Sequence, residues 1–164
     1  MSVDMFLKLD GVKGESRDSK HKDEIDIDMF TFAVAQVGSA SRSGGGGAGK
    51  AEFADIHVSK KADKSSPTLM QYCASGEHIK TGLITLRKAG GGKAGGQEYY
   101  LIKLTDILVS SFQNTGNAAG DVPLEEIALN FATVTFDYLP QNDDGTLGGK
   151  VSHGYDIRQN KPIS

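Results

Sequence analysis

The 164-residue chain sets 18 Lys and Arg against 21 Asp and Glu for a net charge of -3, with 38% hydrophobic and 24% charged residues. This length supports one domain over 1–164 with a single core, and the mild acidity supplies no general basic surface for nucleic acid. Cys73 is the only cysteine, so no internal disulfide can form, which suits a reducing cytoplasm.

The opening MSVDMFLKLDGVKGES has neither a charged leader nor a long apolar run, and no later segment nears the roughly 18 apolar residues of a membrane helix. Neither a secretory signal nor membrane insertion is expected; export would need a route that takes unsignalled cargo. Val3, Met5, Leu7 and Leu9 alternate with Asp4, Phe6 and Lys8, which predicts a strand ending at Asp10-Gly11. Gly14 to Glu24 is charged and aperiodic, as in a solvated loop. Ile25 to Val37 reads as a long strand with bulky Phe30, Phe32 and Val34 on one face and small Thr31, Ala33 and Ala35 on the other. Its earlier part, Ile25 and Ile27, has the opposite parity, so a bulge or bend is expected near Met29.

Next comes SRSGGGGAGKA, Ser41 to Ala51. Gly44, Gly49 and Lys50 match the GxxxxGK[ST] spacing of a phosphate-binding loop, whose glycines admit phosphates to backbone N–H groups. Ala51 breaks the match because a methyl group cannot ligate magnesium. The following Ala54, Ile56 and Val58 alternate with Asp55, His57 and Ser59, predicting a strand through Lys60 where a phosphate loop needs a helix N-terminus. The favoured reading is a glycine loop between strands.

Ser66 as N-cap, Pro67 in the first helical position and Gly76 after the end predict a short helix with an apolar stripe of Leu69, Met70, Tyr72 and Cys73. Cys73 is expected to be a buried packing residue. Ile79 to Lys88 reads as a strand, Gly90 to Gly96 as a hairpin turn, and Gln97 to Phe112 as the returning strand. Asn114 to Asp121 turns the chain, Leu124 to Tyr138 forms another long strand, and His153 to Asn160 closes the fold. The whole is mainly β with one helix, a sandwich or closed barrel whose open end the helix covers.

No catalytic or metal-binding constellation emerges. His21, His57, His78 and His153 are scattered and read as surface or loop histidines. Asp143-Asp144-Gly145 lacks the ligand spacing of a calcium loop and reads as a tight turn. Asp26 and Asp28 share a strand face, Glu125 and Glu126 are adjacent, and surface solubility is the expected role of each pair. No GxSxG elbow is present. The chain is therefore expected to be no enzyme and to need no cofactor or metal.

Several blocks together resemble the haemolysin-coregulated protein (Hcp) family of type VI secretion tube proteins: VDMFLKLDGVKGES, GGGGAGK, DKSSPTLMQYCASGEH, LTDILVSS, LNFATVTFDYLPQ and GYDIRQN. The resemblance runs colinearly from Val3 to Asn160. It departs from the family pattern in having no tryptophan: Phe30 and Phe32 stand on the long strand and Gly154-Tyr155-Asp156 replaces a GWN-like ending.

The resemblance implies a compact β-barrel of two sheets with one short helix on the side and an extended glycine-rich loop. Homohexameric rings would stack into a tube inside a contractile sheath, capped by a valine-glycine repeat spike protein, and carry small effector proteins in the lumen. It places Ser41, Arg42, Ser43, Gly44, Gly45, Gly46, Gly47, Ala48, Gly49 and Lys50 in a loop touching neighbouring subunits or rings. Phe30, Phe32 and Val34 would then pack in the barrel, with Thr31, Ala33 and Ala35 toward the channel or an adjacent subunit. The protein would begin in the cytoplasm and be secreted through the type VI system without a signal peptide. Two other classes remain open at this point: a β-sandwich module binding carbohydrate or a receptor, and a nucleotide-binding protein using the glycine loop.

Overall fold

A computed structural model describes residues 2–36, 49–88 and 96–163 of the chain. Strand β1 (Val3–Leu9) turns Leu7 and Leu9 into the core, as its alternation requires. The expected long strand from Ile25 is instead three pieces, β2 (Ile25–Asp26), β3 (Met29–Thr31) and β4 (Val34–Ala35), and Val37 lies outside the described residues.

Backbone pairing explains the break. Ile25 pairs with Leu7 and the Ile27 N–H donates to the Met5 carbonyl at 3.1 Å. One residue later the Asp28 N–H donates to Ser59 at 2.8 Å, and Met29 to Thr31 pair with β6 (Ile56–Lys61). The chain thus passes from one sheet to another, and the inward positions change from Ile25 and Ile27 to Phe30 and Phe32. The bend near Met29 is this crossing. Val34, expected inside, is 51% exposed because β4 has left both sheets to pair only with β5 (Glu52–Phe53).

Helix α1 (Ser65–Ser75) buries Leu69 completely and packs against β8 (Gln97–Thr115). Its stripe is narrower than expected: Tyr72 and Cys73 are half-buried against the core, but Met70 is 51% exposed. Ser66 is not the N-cap. Lys64 holds that place, the Asp63 carboxylate accepts the Ser65 N–H at 2.8 Å, and Ser66 is drawn inward to donate its hydroxyl to Glu125 at 2.6 Å. Pro67 consequently occupies the third helical position. Gly76 ends the helix as expected, with φ 69° and its N–H on the Tyr72 carbonyl at 3.0 Å.

Strand β7 (Ile79–Lys88) has the expected bounds, and β8 runs past Phe112 to Thr115. Leu124 to Tyr138 divides into β9 (Leu124–Asn130) and β10 (Thr133–Tyr138), again because the chain changes sheets. Phe131 and Ala132 are buried at this second crossing, and the Ala132 N–H donates to Thr105. The closing segment is β11 (Val151–Asp156), followed by an unanticipated edge strand β12 (Lys161–Ile163).

One sheet has the order β12-β11-β10-β8-β7-β1-β2, and the other runs β3-β6-β9-β8. β8 belongs to both, bending at Asp106, whose φ of 51° is a left-handed conformation that aspartate tolerates better than most residues. On the opposite side, among the described residues, the sheets are linked where the chain passes from the Ile27 bond on β1 to the Asp28 bond on β6. The fold is therefore the two-sheet barrel expected, but the barrel is left open there instead of closed. Its core is one cluster centred on Leu7, Ile56, Ile84, Ile102, Ile127 and Leu129.

Candidate assembly surface

Strands β4 and β5 form an arm at the base of the glycine loop. The Ala54 N–H donates to Ala33 at 3.0 Å, and two aromatic contacts fix the arm to the main sheet. Phe32 meets Phe136 edge-on at 4.7 Å between ring centroids, and Phe53 stacks on Tyr155 at 5.2 Å. Aromatic pairs of this kind each contribute about 0.5–1.5 kcal/mol beyond simple burial. Ser41 to Ala48 lie outside the described residues. Gly49 and Lys50 are exposed, and the chain enters β5 two residues later. No helix follows Lys50, so the dipole that a phosphate loop requires is not there, and this removes the context of the nucleotide reading.

Thr31, Ala33 and Ala35 are all exposed, on the opposite parity from Phe30 and Phe32. Another uncovered region lies on the inward face of the large sheet. Ile102 and Phe136 are paired neighbours on that face; two residues along, Tyr100 pairs with Tyr138, which pairs with Val151. Parity puts this row on the core face, yet Tyr138 is 44% and Val151 55% exposed. Tyr100, half-buried beside Tyr138 at 6.2 Å, has its hydroxyl pKa raised by burial. The core face thus continues past the cover that the described residues provide.

At the helix corner the polarity is reversed. Lys60 is 1% exposed, and its ammonium donates to Glu125 at 2.6 Å and lies 3.0 Å from Asp63. Glu125 also accepts from Ser66 and from the Asn114 amide at 2.8 Å. Burial alone would push the Glu125 carboxyl up, but the hydrogen bonds from Lys60, Ser66 and Asn114 outweigh it and hold the group below its ordinary value. A similar knot joins β10 and β11: the Ser152 hydroxyl, against the effect of burial, and then Lys103 and Lys150 keep Asp137 low.

The expected surface roles need two corrections. Glu125 is buried while Glu126 is exposed, because neighbours on a strand face opposite ways. His21 is 5% exposed, whereas His57, His78 and His153 lie at the surface. A signal for Lys60 and Glu125 is present in the alternation itself, since Lys60 continues the inward series Ile56, Val58 and Glu125 begins the series Ile127, Leu129. The aperiodic stretch around His21 holds no such signal. Asp26 and Asp28 are exposed on one side, and Asp143-Asp144-Gly145 is a turn with Gly145 at φ 85°. Among the described residues no group of three His, Cys, Asp or Glu side chains could hold a metal, and no helix is long and apolar enough to cross a membrane.

Residues 6–138 match the family model described as "Type VI secretion system effector, Hcp". The chain belongs to the Hcp family. It is 51% identical over 161 residues to Protein hcp1 of Pseudomonas aeruginosa, covering 98% of each chain. Among solved structures it resembles a type six secretion system protein with TM-score 0.90 and 30% identity, covering 99% of this chain and 100% of the other. It is likewise similar to Hcp1 from Salmonella typhimurium, with TM-score 0.79, 33% identity and the same coverages. A type VI secretion system effector from Yersinia pestis aligns with TM-score 0.76 and 36% identity over 94% of this chain and 100% of that one. This Hcp chain is therefore a type VI secretion protein whose mainly β fold is that of its relatives.

Proposed function

We propose that the chain is a one-domain subunit of the type VI inner tube, working without a catalytic step. Six copies form a ring, rings stack, and sheath contraction drives the tube and its spike outward, carrying small effectors in the bore. The protein starts in the cytoplasm and leaves with the tube. The observation that carries this reading, in a member of the Hcp family, is the core-facing row of Tyr100, Tyr138 and Val151 that the described residues leave partly uncovered. Exposed apolar surface of this kind marks an interface. Head-to-tail contact whose rotation closes gives a ring, and contact without closure gives a filament.

The exposed small residues Thr31, Ala33 and Ala35 support a channel-facing role, and the anchored arm supports a contact role for the loop from Ser41 to Lys50. Negative-stain images and native mass measurement of the purified protein test the assembly: sixfold annular particles are expected, and particles that remain single at high concentration overturn it. Thr31→Arg or Ala33→Arg is expected to impair cargo retention or assembly while the monomer stays folded. Normal tubes with normal cargo would refute the channel assignment.

A further inference from the structure

The segment between β1 and β2 is a strap lying over the outer face of the large sheet, not a solvated loop. It pairs with itself: the Gly14 N–H donates to Asp23 at 2.8 Å and the Asp23 N–H to Ser16 at 2.9 Å. Gly14 permits this closure, since a Cβ there would collide with the Glu24 carbonyl. Two pins hold the strap to the sheet. One is Arg87 of β7, whose guanidinium donates to Asp18 of the strap and at 2.9 Å to Asp4 of β1. The other is His21, stacked on Phe6 of β1 with ring centroids 4.1 Å apart and an interplanar angle of 10°. Arg87 also approaches the Phe6 ring, at 5.1 Å from its centroid.

The His21 pin has a chemical peculiarity. Nδ1 lies 2.8 Å from Glu24 of the strap and Nε2 lies 2.8 Å from Glu98 of β8. A carboxylate oxygen only accepts, so both contacts are hydrogen bonds only when both ring nitrogens carry protons. A neutral ring must instead turn a lone pair toward one carboxylate inside a nearly closed site. The charged groups around the ring are Glu24 and Asp18 from the strap, Glu98 from β8, and Arg87 with its partner Asp4 from β7 and β1.

We infer that the strap is a pH-sensitive latch, tightened by doubly protonated His21 and loosened when that proton leaves. The stabilising contribution is present while both ring nitrogens carry protons and is lost as rising pH removes one of them. The Arg87 pin does not follow. Its bond to Asp18 holds that carboxyl well below the usual range and keeps the guanidinium charged. One pin therefore releases while the other stays, and the partly freed strap uncovers Phe6, on which His21 otherwise stacks.

Amide hydrogen exchange on the intact protein, corrected for the intrinsic pH dependence of exchange, reads the latch directly. Between about pH 5.5 and pH 8, opening at the His21 and Glu24 amides should rise about tenfold, as suits loss of a hydrogen bond to a charged group. The β1–β7 ladder should not change. His21→Gln should abolish the step, and Glu98→Gln should shrink it, because an amide can accept from or donate to a neutral ring. Equal corrected protection at the two pH values in the parent overturns the inference. So does an undiminished step in either variant; if one variant fails to fold, the other decides.

Discussion

The helix corner and the far end of the large sheet depart from the usual distribution of polarity in opposite directions. At the corner a lysine is sealed inside; at the sheet end a tyrosine and a valine from the core face stand in water. The corner is complete, since Lys60, Glu125, Ser66 and Asn114 satisfy one another within the chain. Nothing among the described residues does the same for Tyr138 and Val151. Burial of charge here serves internal fastening, whereas the exposed apolar residues belong to the surface we propose for contact between copies. A residue's unusual location therefore has to be judged by whether its own chain finishes the environment.

Breaking the corner should have the largest effect. Lys60→Ala leaves Glu125 buried without its cation and should reduce unfolding free energy by about 3–5 kcal/mol in a denaturant titration, while Lys60→Met with Glu125→Leu should recover much of the loss. Acid attacks the same fastening. Glu125 and Asp137 are held below their ordinary values, so their contribution is full above the unfolded carboxylate range near pH 4 and declines as pH falls through the lower folded values. Unfolding midpoints measured across acid pH should show this decline, and Glu125→Gln should flatten its slope.

Ser152→Ala should cost about 1 kcal/mol, the usual net worth of one hydrogen bond, because Lys103 still accompanies Asp137. Val151→Asp should change folding stability least, within about 0.5 kcal/mol as for most exposed substitutions. Native mass should nevertheless show loss of assembled particles. A Val151→Asp chain that assembles like the parent would remove the contrast between the two regions.

Much of this arrangement is legible in the residues. The limits of β1 and β7 follow from alternation and glycine turns, and the end of α1 from Gly76. In Ile25–Val37 the change of parity marks the bend near Met29 but not the passage to a second sheet, whereas Leu124–Tyr138 reads as one strand because Phe131 and Ala132 carry its apolar run through the crossing. Phe131 and Ala132 are buried within one of those crossings. β12 escapes notice because it is three residues long with Pro162 at its centre, a residue that sheets accept at an edge. Of the candidate surface, the small and bulky faces around Phe32 are visible in sequence. The exposure of Val151 depends on where the second layer stops, which is a property of tertiary packing.

The strand common to both sheets has a mechanical consequence. At about 3.3 Å per residue, the 19 residues of β8 make a continuous strut roughly 60 Å in contour, joined laterally to β7, β10 and β9. Load on one sheet passes to the other along this one strand, through the bend at Asp106 and its cross-strand bonds, without crossing a connecting loop. The two sheets are thus coupled mechanically at that bend.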